Sequence, residues 1–418
     1  MPVHLVSFRF ASLVRACAIV CLGCILLSEA WAGGRAKILF RPKPNQGAHP
    51  WGSLALDNAG NLYATTQEGG IHGCGPLSDG CGTIFELAPQ PDGSWTPQIL
   101  YRFQGGTDGD LVYAGVILDA AGNLYGTTAA GGAHDVGTVY ELSPSGSGWT
   151  ETLLHTFGDQ PKDGGYPGAP LVFDPSGNLY STTYIGCDYG TVFELSPTPQ
   201  GGWTENQLYC FTGTGSDGSY PDAPVIFDAA GNLYSTTYIG GINGNGTVFE
   251  LSPSVSGWTE TILYSFGGEQ QVYPWSSLVF DRQGDLYGLI YGGIFELTPA
   301  GGGWNFSMIY ASAANPHGIF PNSLIIDEAG NLYGTAEGGS SSKCRGGGCG
   351  AVFKLTHREK GWQMTVLHNF PGGAGGEAPY GGLVMDQAGN LYGATYYGGR
   401  RGCGGGCGVV YEIVRQAN

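Results

Sequence analysis

Seven aspartates stand in near-copies of one hairpin, D-x-x-G-N-L-Y: Asp57, Asp119, Asp174, Asp228, Asp281, Asp327 and Asp386. Carboxylates gathered at one end of a pore could hold a hard, calcium-like cation, which takes oxygen ligands. A second repeated acid lies in G-T-V-F-E-L, at Glu86, Glu141, Glu194, Glu250, Glu296 and Glu412, and paired carboxylates are what glycoside hydrolysis requires. Repetition argues against both uses. A coordination shell is asymmetric and a catalytic pair needs two different environments, whereas an identical acid in every copy meets a need that every copy shares. The aspartates are expected to accept hydrogen bonds from their own turn amides, and the glutamates to partner a neighbouring unit or the surface. No metal and no cofactor is expected.

Acid–base chemistry would have to come from residues the copies do not share: His49 and His72, His134 with Asp135, and His317. Catalysis needs at least two such groups within hydrogen-bonding reach, and these fall in different units. A lyase or hydrolase acting on extracellular polysaccharide is therefore the rival reading, with no catalytic residue assigned. The cysteines sort by position. Cys74 with Cys81, Cys344 with Cys349, and Cys403 with Cys407 each share one glycine-rich loop and read as local disulfide staples. Their spacings are not those of a zinc site. Cys187 and Cys210 share a unit, and either they pair or strand geometry forbids it.

The elements that must position these residues repeat. The tripeptide beginning at Asn61, Asn123, Asn178, Asn232, Asp285, Asn331 and Asn390 recurs at spacings of 62, 55, 54, 53, 46 and 59 residues. Each unit reads as four short strands, as in residues 169–211: APLVFD, a PSGN turn, LYSTTY, a glycine-rich loop, GTVFEL, and WTENQLYCF. Four strands with no crossover helix make an antiparallel meander. Glycine (76 residues) and proline (24) then serve as turn residues, since a clear period excludes a low-complexity chain. The tryptophans opening the fourth strand, Trp95, Trp149, Trp203, Trp258, Trp304 and Trp362, are expected to pack between units. The seventh unit stops at GVVYEI without a fourth strand, while AKILF at 36–40 matches the fourth-strand pattern of QILYRF and TILYSF. One end supplies what the other lacks. The prediction is an all-β, seven-bladed β-propeller of four-stranded antiparallel blades, its ring closed by strand 36–40 completing the last blade. Closure also removes exposed sheet edges.

The pattern D-x-x-G-N-L-Y-G-T-T…G-G…G-T-V-F-E-L-x-P, running through residues 36–413, resembles the GloVer tandem repeat of choice-of-anchor bacterial surface and secreted proteins. It is more distantly similar to NHL-type and two-component-regulator propeller repeats. The resemblance implies export and a propeller, and implies no established biochemical activity. Two units depart from it: the fifth reads DLYGLIYGGIFEL with a shortened loop, and the sixth has Lys354 where others have glutamate.

The first residues read separately. Arg9 and Arg15, the apolar run ACAIVCLGCILL and Ala30-Trp31-Ala32 have the order of a secretory signal peptide over 1–32, leaving a single domain over 33–418. The run is shorter than the ~20 apolar residues of a membrane span. A secreted, extracellular or periplasmic protein is expected, with no membrane span after signal removal, as a monomer. Without residues 1–32 the chain has 15 basic and 33 acidic residues. That acidity makes nucleic acid an unfit partner, because phosphate binding needs a basic face.

Function is expected where the copies differ. Connectors entering the first strand place aromatics near a proline: Trp51, Tyr166, Tyr220, Tyr273 with Trp275, Phe320 and Tyr380, with Tyr113 in the remaining unit. Loops on the same face add Tyr184, Tyr238, Tyr291 and Tyr396. An aromatic collar around the channel mouth, rimmed by Asp108, Asp163 and Asp217, would suit binding of an extracellular glycan, peptide or protein without bond-making. The alternatives are packing of these aromatics over the blade tops in a purely structural repeat protein, and the enzyme above.

Overall fold

The structure is a computed structural model that describes residues 36–415 except 71–79, 161, 268–271, 313–318, 339–343 and 345–347. The expected signal peptide, His72, Cys74, His317 and the side chain of Phe320 lie outside what is described.

Seven antiparallel sheets are arranged as a β-propeller. Blade 1 comprises Ala55–Leu56, Leu62–Thr66, Thr83–Pro89 and Trp95–Arg102 in that order. Blades 2 to 6 repeat the order over 117–156, 172–210, 226–265, 279–311 and 325–369. Blade 7 takes three strands from 384–413 and its outer strand, Lys37–Phe40, from the other end of the chain. That strand pairs antiparallel with Val409–Ile413, Ile38 facing Tyr411 and Phe40 facing Val410.

The hairpin between first and second strands is built by its aspartate. Asp57 Oδ1 accepts the amides of Ala59 and Asn61, while Oδ2 accepts Asn61 Nδ2 and the Tyr63 hydroxyl at 2.9 and 3.2 Å. Asp119, Asp174, Asp228 and Asp327 make the same set. Burial pushes the Asp228 carboxyl up, but hydrogen bonds from Asn232, Ala230 and Tyr234 outweigh it and its pKa ends below the usual aspartate value. The turn glycine has φ of +88° at Gly60 and +87° at Gly231, a conformation side chains with a Cβ rarely adopt. The turn-amide expectation therefore holds, and carboxylates so fully engaged have little left for a cation.

The second strands are buried along their whole length and carry the ring contacts. At three interfaces the tyrosine held by the hairpin aspartate meets the tryptophan of the following blade: Tyr125 and Trp203 at 6.3 Å, Tyr287 and Trp362 at 5.5 Å, and, across the closure, Tyr392 and Trp95 at 6.1 Å between ring centroids. A second aromatic layer joins the residue ending one blade to the third strand of the next, as in Phe157 with Phe193, Phe211 with Phe249 and Phe266 with Phe295, each at 5.2 Å. From two positions earlier in its strand, Phe40 makes a similar contact on Phe85 at 5.4 Å, so the closing strand also meets the next blade through an aromatic pair. Nearer the axis, hydroxyls of Thr65 and Thr182 donate to the carbonyls of Ala114 and Ala223 in the next blade.

The third-strand glutamates behave differently from expectation. Their partners lie within the blade: Glu194 accepts from Tyr180 and Ser196, Glu296 from Tyr287, and Glu250 from Ser252. Antiparallel register puts each beside the second-strand tyrosine, Tyr180 facing Glu194 and Tyr287 facing Glu296, which a single-strand reading does not reveal.

Asp108, Asp163 and Asp217 do not rim the channel. Their carboxylates fold back on their own loops, Asp108 accepting the Gln104 amide, Asp163 those of Gly158 and Asp159, and Asp217 that of Thr212. There they meet acids of the next blade's outer strand. Burial, then the neighbouring aspartate, pushes Glu151 and Glu260 each up to about 7. Glu205 is raised by the same two causes, with His155 opposing them.

Two predictions follow from this packing. Phe40→Ala removes a half-buried ring from the closure and should lower unfolding free energy by roughly 2 kcal/mol, less than the ~3–5 of a fully buried phenylalanine; equal denaturant midpoints for variant and wild type would show that the closing strand is not held this way. An acid whose folded pKa lies above its ordinary value of 4.5 binds more protons when folded, so the stability it confers is full at low pH and drains as pH rises from about 4.5 to about 7. Glu260→Gln should therefore flatten the decline of Tm between about pH 5 and about pH 8, and parallel Tm curves for the two proteins would refute the assignment.

Candidate functional site: an aromatic funnel on the propeller axis

Each described connector into a first strand holds one residue in the left-handed region: His49 (φ 58°), Leu111 (57°), Tyr166 (53°), Tyr220 (56°), Tyr273 (24°) and Ala378 (55°). Such a backbone is costly for a residue with a Cβ and persists where the surroundings over-determine it. Here hydrogen bonds on both sides do so. The amides of Tyr166, Tyr220 and Ala378 donate to Val136, Tyr189 and Cys349 of the preceding blade, while their carbonyls accept from Tyr184, Tyr238 and Tyr396 of their own.

Two residues further on, the chain faces the axis. Trp51, Tyr113, Gly168, Asp222, Trp275, Asn322 and Tyr380, one from each blade, line both a mouth of about 780 Å³ and a throat of about 250 Å³ beneath it. The throat is walled by small residues because neighbouring connectors touch there. A Cβ on Gly115 would lie 2.2 Å from the Ser53 carbonyl oxygen, and one on Gly52 would lie 2.3 Å from the Gly115 nitrogen.

The ring is asymmetric. Tyr380, Trp51 and Tyr113 of blades 7, 1 and 2 form a continuous aromatic arc, with Trp51 4.9 Å from Tyr380 and 5.8 Å from Tyr113. Trp51 keeps 40% of its surface exposed. Asp222 belongs to blade 4, which in a ring of seven lies across the axis from blades 7 and 1. Gly168 beside it has no side chain, and a Cβ there would come within 3.0 Å of Asp222 Oδ1. Tyr166, Tyr184 and Tyr238 complete the mouth, and Glu337 stands on the wall of blade 6.

Of the aromatics expected in the collar, Trp51, Tyr113, Tyr166, Tyr184, Tyr238, Trp275 and Tyr380 line the mouth. Tyr220 and Tyr273 do not. They stack behind the lining, on Tyr184 at 4.9 Å and on Tyr238 at 4.5 Å, as packing supports. Tyr291 is exposed beside Trp275, and Tyr396 is buried behind Trp51. Asp222, Asn322 and Glu337 were not singled out from the sequence. The signal was a column: Asp222 and Asn322 occupy the connector position of Trp51, and Glu337, near the end of its longer second strand, occupies the position that Tyr184 and Tyr238 take just after theirs.

Asp222 is exposed at the mouth, yet the protein packed around its carboxyl displaces enough solvent to push it up to about 6. Its charge in turn helps raise the phenols of Tyr113, Tyr184 and Tyr238, after burial as the leading cause. Glu337 is raised by burial, an effect opposed by a hydrogen bond from Tyr380.

The histidines scatter. His49 is buried, bound to Glu68 Oε2 at 3.0 Å and to the Gly404 carbonyl, and stacked on Tyr396 at 4.5 Å. His134 pairs with Asp159 at 2.6 Å on the surface, and Asp135 turns back to accept the Gly131 amide. Neither histidine lines the funnel.

Cys344–Cys349 and Cys403–Cys407 are disulfides, and Cys187–Cys210 pair with Cα atoms 5.7 Å apart, which resolves the open question about the last two. Cys81 is disulfide-bonded as well. Cys344, Cys349 and Glu377 converge within 4.8 Å, but the disulfide removes both thiolates as metal ligands. No helix among the described residues is long and apolar enough to cross a membrane.

A carboxyl-selective NMR titration tests the funnel's electrostatics: Asp222 should titrate near pH 6, above the ordinary aspartate value of 3.8, and a midpoint at that ordinary value would mean the side chain is fully hydrated.

The structure overlays on the extracellular domain assigned to a one-component system of B. thetaiotaomicron, with a TM-score of 0.53 and 12% identity, covering 91% of this chain and 40% of that one. It also matches a protein assigned as a 6-phosphogluconolactonase from Bacteroides fragilis, with a TM-score of 0.48 and 14% identity over 78% of this chain and 86% of that one. At such identities the first likeness speaks for the fold alone, and this chain spans well under half of that neighbour's length. No curated protein matches the sequence. The Gloeobacter/Verrucomicrobia repeat model matches residues 75–293 and 290–418, and with the seven D-x-x-G-N-L-Y hairpins inside one closed ring, the chain belongs to that repeat family.

Proposed function

We propose that the protein is an exported, non-catalytic binding module whose axial funnel takes up an extracellular carbohydrate. The observation that carries the reading is the exposed arc of Tyr380, Trp51 and Tyr113, three rings in contact around the channel with hydrogen-bonding side chains facing them. Sugar rings present apolar C–H faces that stack on such a surface and hydroxyls that bond to carboxylates and amides. A mouth of about 780 Å³ is within the ~300–1,000 Å³ usual for small-ligand sites. The signal-like N-terminus and the disulfides favour an oxidising compartment.

The rival is hydrolysis by the funnel's two carboxylates. Both have raised pKa values, as a general acid requires. Yet what faces these carboxyls across the channel is the stacked arc of Tyr380, Trp51 and Tyr113, a surface suited to holding a sugar ring. Binding without turnover is the better account.

A glycan-array and calorimetric screen of the protein lacking residues 1–32 tests this. Trp51→Ala should weaken binding of any captured oligosaccharide about tenfold, near 1.4 kcal/mol, while Gly168→Trp should block the mouth. Affinity indifferent to both changes would move the site elsewhere, and release of reducing ends from the bound glycan would promote the hydrolase.

A further inference from the structure

The charge of the funnel narrows the ligand further. Among the described residues its lining carries two carboxylates, Asp222 and Glu337, and no lysine, arginine or histidine. His49, in the connector into blade 1, is turned away against Glu68 and the Gly404 carbonyl. Aromatic faces carry the negative end of a quadrupole, so the arc of Tyr380, Trp51 and Tyr113 adds to the same sign of field. An anionic glycan such as a uronate would meet this field unscreened. A neutral one would leave Asp222 without a counter-charge.

We propose that the funnel selects a glycan bearing free amino groups: a protonated 2-amino sugar whose ring stacks on the Tyr380–Trp51–Tyr113 arc and whose ammonium faces Asp222 across the axis. This rests on the carbohydrate reading above and adds the sign of the ligand's charge. The notch at Gly168 supports it. A side chain there would press on Asp222 Oδ1, so the position leaves one face of that carboxylate open to the mouth. Burial without a cation raises the Asp222 pKa, and a bound ammonium would supply the missing charge.

Titration calorimetry with glucosamine tetramer and N-acetylglucosamine tetramer, in buffer just above the Asp222 midpoint of about 6 so that the carboxylate is charged while the amine still takes up a proton on binding, decides the matter. The free amine should bind at least about tenfold tighter than its acetylated counterpart, and Asp222→Asn, its fold checked by thermal melting, should bring the two within about twofold. Glu337→Gln provides a second neutralisation should the first variant fail to fold, with a smaller loss of preference expected. Equal affinity for both tetramers would overturn the amine assignment and leave the carbohydrate reading standing. Binding of neither would remove both. Tetralysine bound as tightly as the amino sugar would reassign the funnel to basic peptides.

Discussion

The ring rests on one tyrosine per blade. In D-x-x-G-N-L-Y the aspartate closes its own hairpin and, through Oδ2, fixes the hydroxyl of the tyrosine two positions beyond the asparagine. At three interfaces, the closing one included, the ring of that tyrosine then meets the next blade's tryptophan. A single motif thus sets the turn, orients a buried aromatic and seats the neighbouring blade. Burying a tyrosine without a partner for its hydroxyl would be costly, and the carboxylate removes that cost where the blades meet. Tyr392 on Trp95 and Phe40 on Phe85 show contacts of the same kind across the closure, so the last interface is held by the forces that hold the others.

This constraint explains why function lies elsewhere. Residues common to all blades are committed to the hairpin and the interfaces, and their carboxylates have their oxygens engaged. The axial position of each connector is free of that duty, since its side chain points into the channel. There the blades diverge, to Trp, Tyr, Gly, Asp, Trp, Asn and Tyr from blade 1 to blade 7. A symmetric ring thereby presents an asymmetric funnel, aromatic on one side and acidic on the other.

Much of the site was legible in the residues. Seven of the aromatics chosen from connectors and loops line the mouth, because variation among copies of a repeat falls on the face that packing does not use. Tyr220 and Tyr273 were misplaced by two residues. The left-handed backbone there sends their side chains behind the lining, while Asp222 and Trp275, two residues on, face the axis. Asp108, Asp163 and Asp217 were misplaced for a related reason: an acid in a glycine-rich loop reads as exposed, yet the loop's own amides draw each one inward.

By itself the sequence determined the number of blades, the four-strand order and the strand that closes the ring, because these follow from turn chemistry and alternation that recur locally in every copy. It also determined the disulfide loops, where both cysteines lie a few residues apart. Only the tertiary structure decided which side chain of each connector reaches the axis, and that Asp222 stands across from the aromatic arc. Those relations join residues from different blades, and their geometry depends on a left-handed backbone held by hydrogen bonds to the preceding blade, which no local pattern encodes.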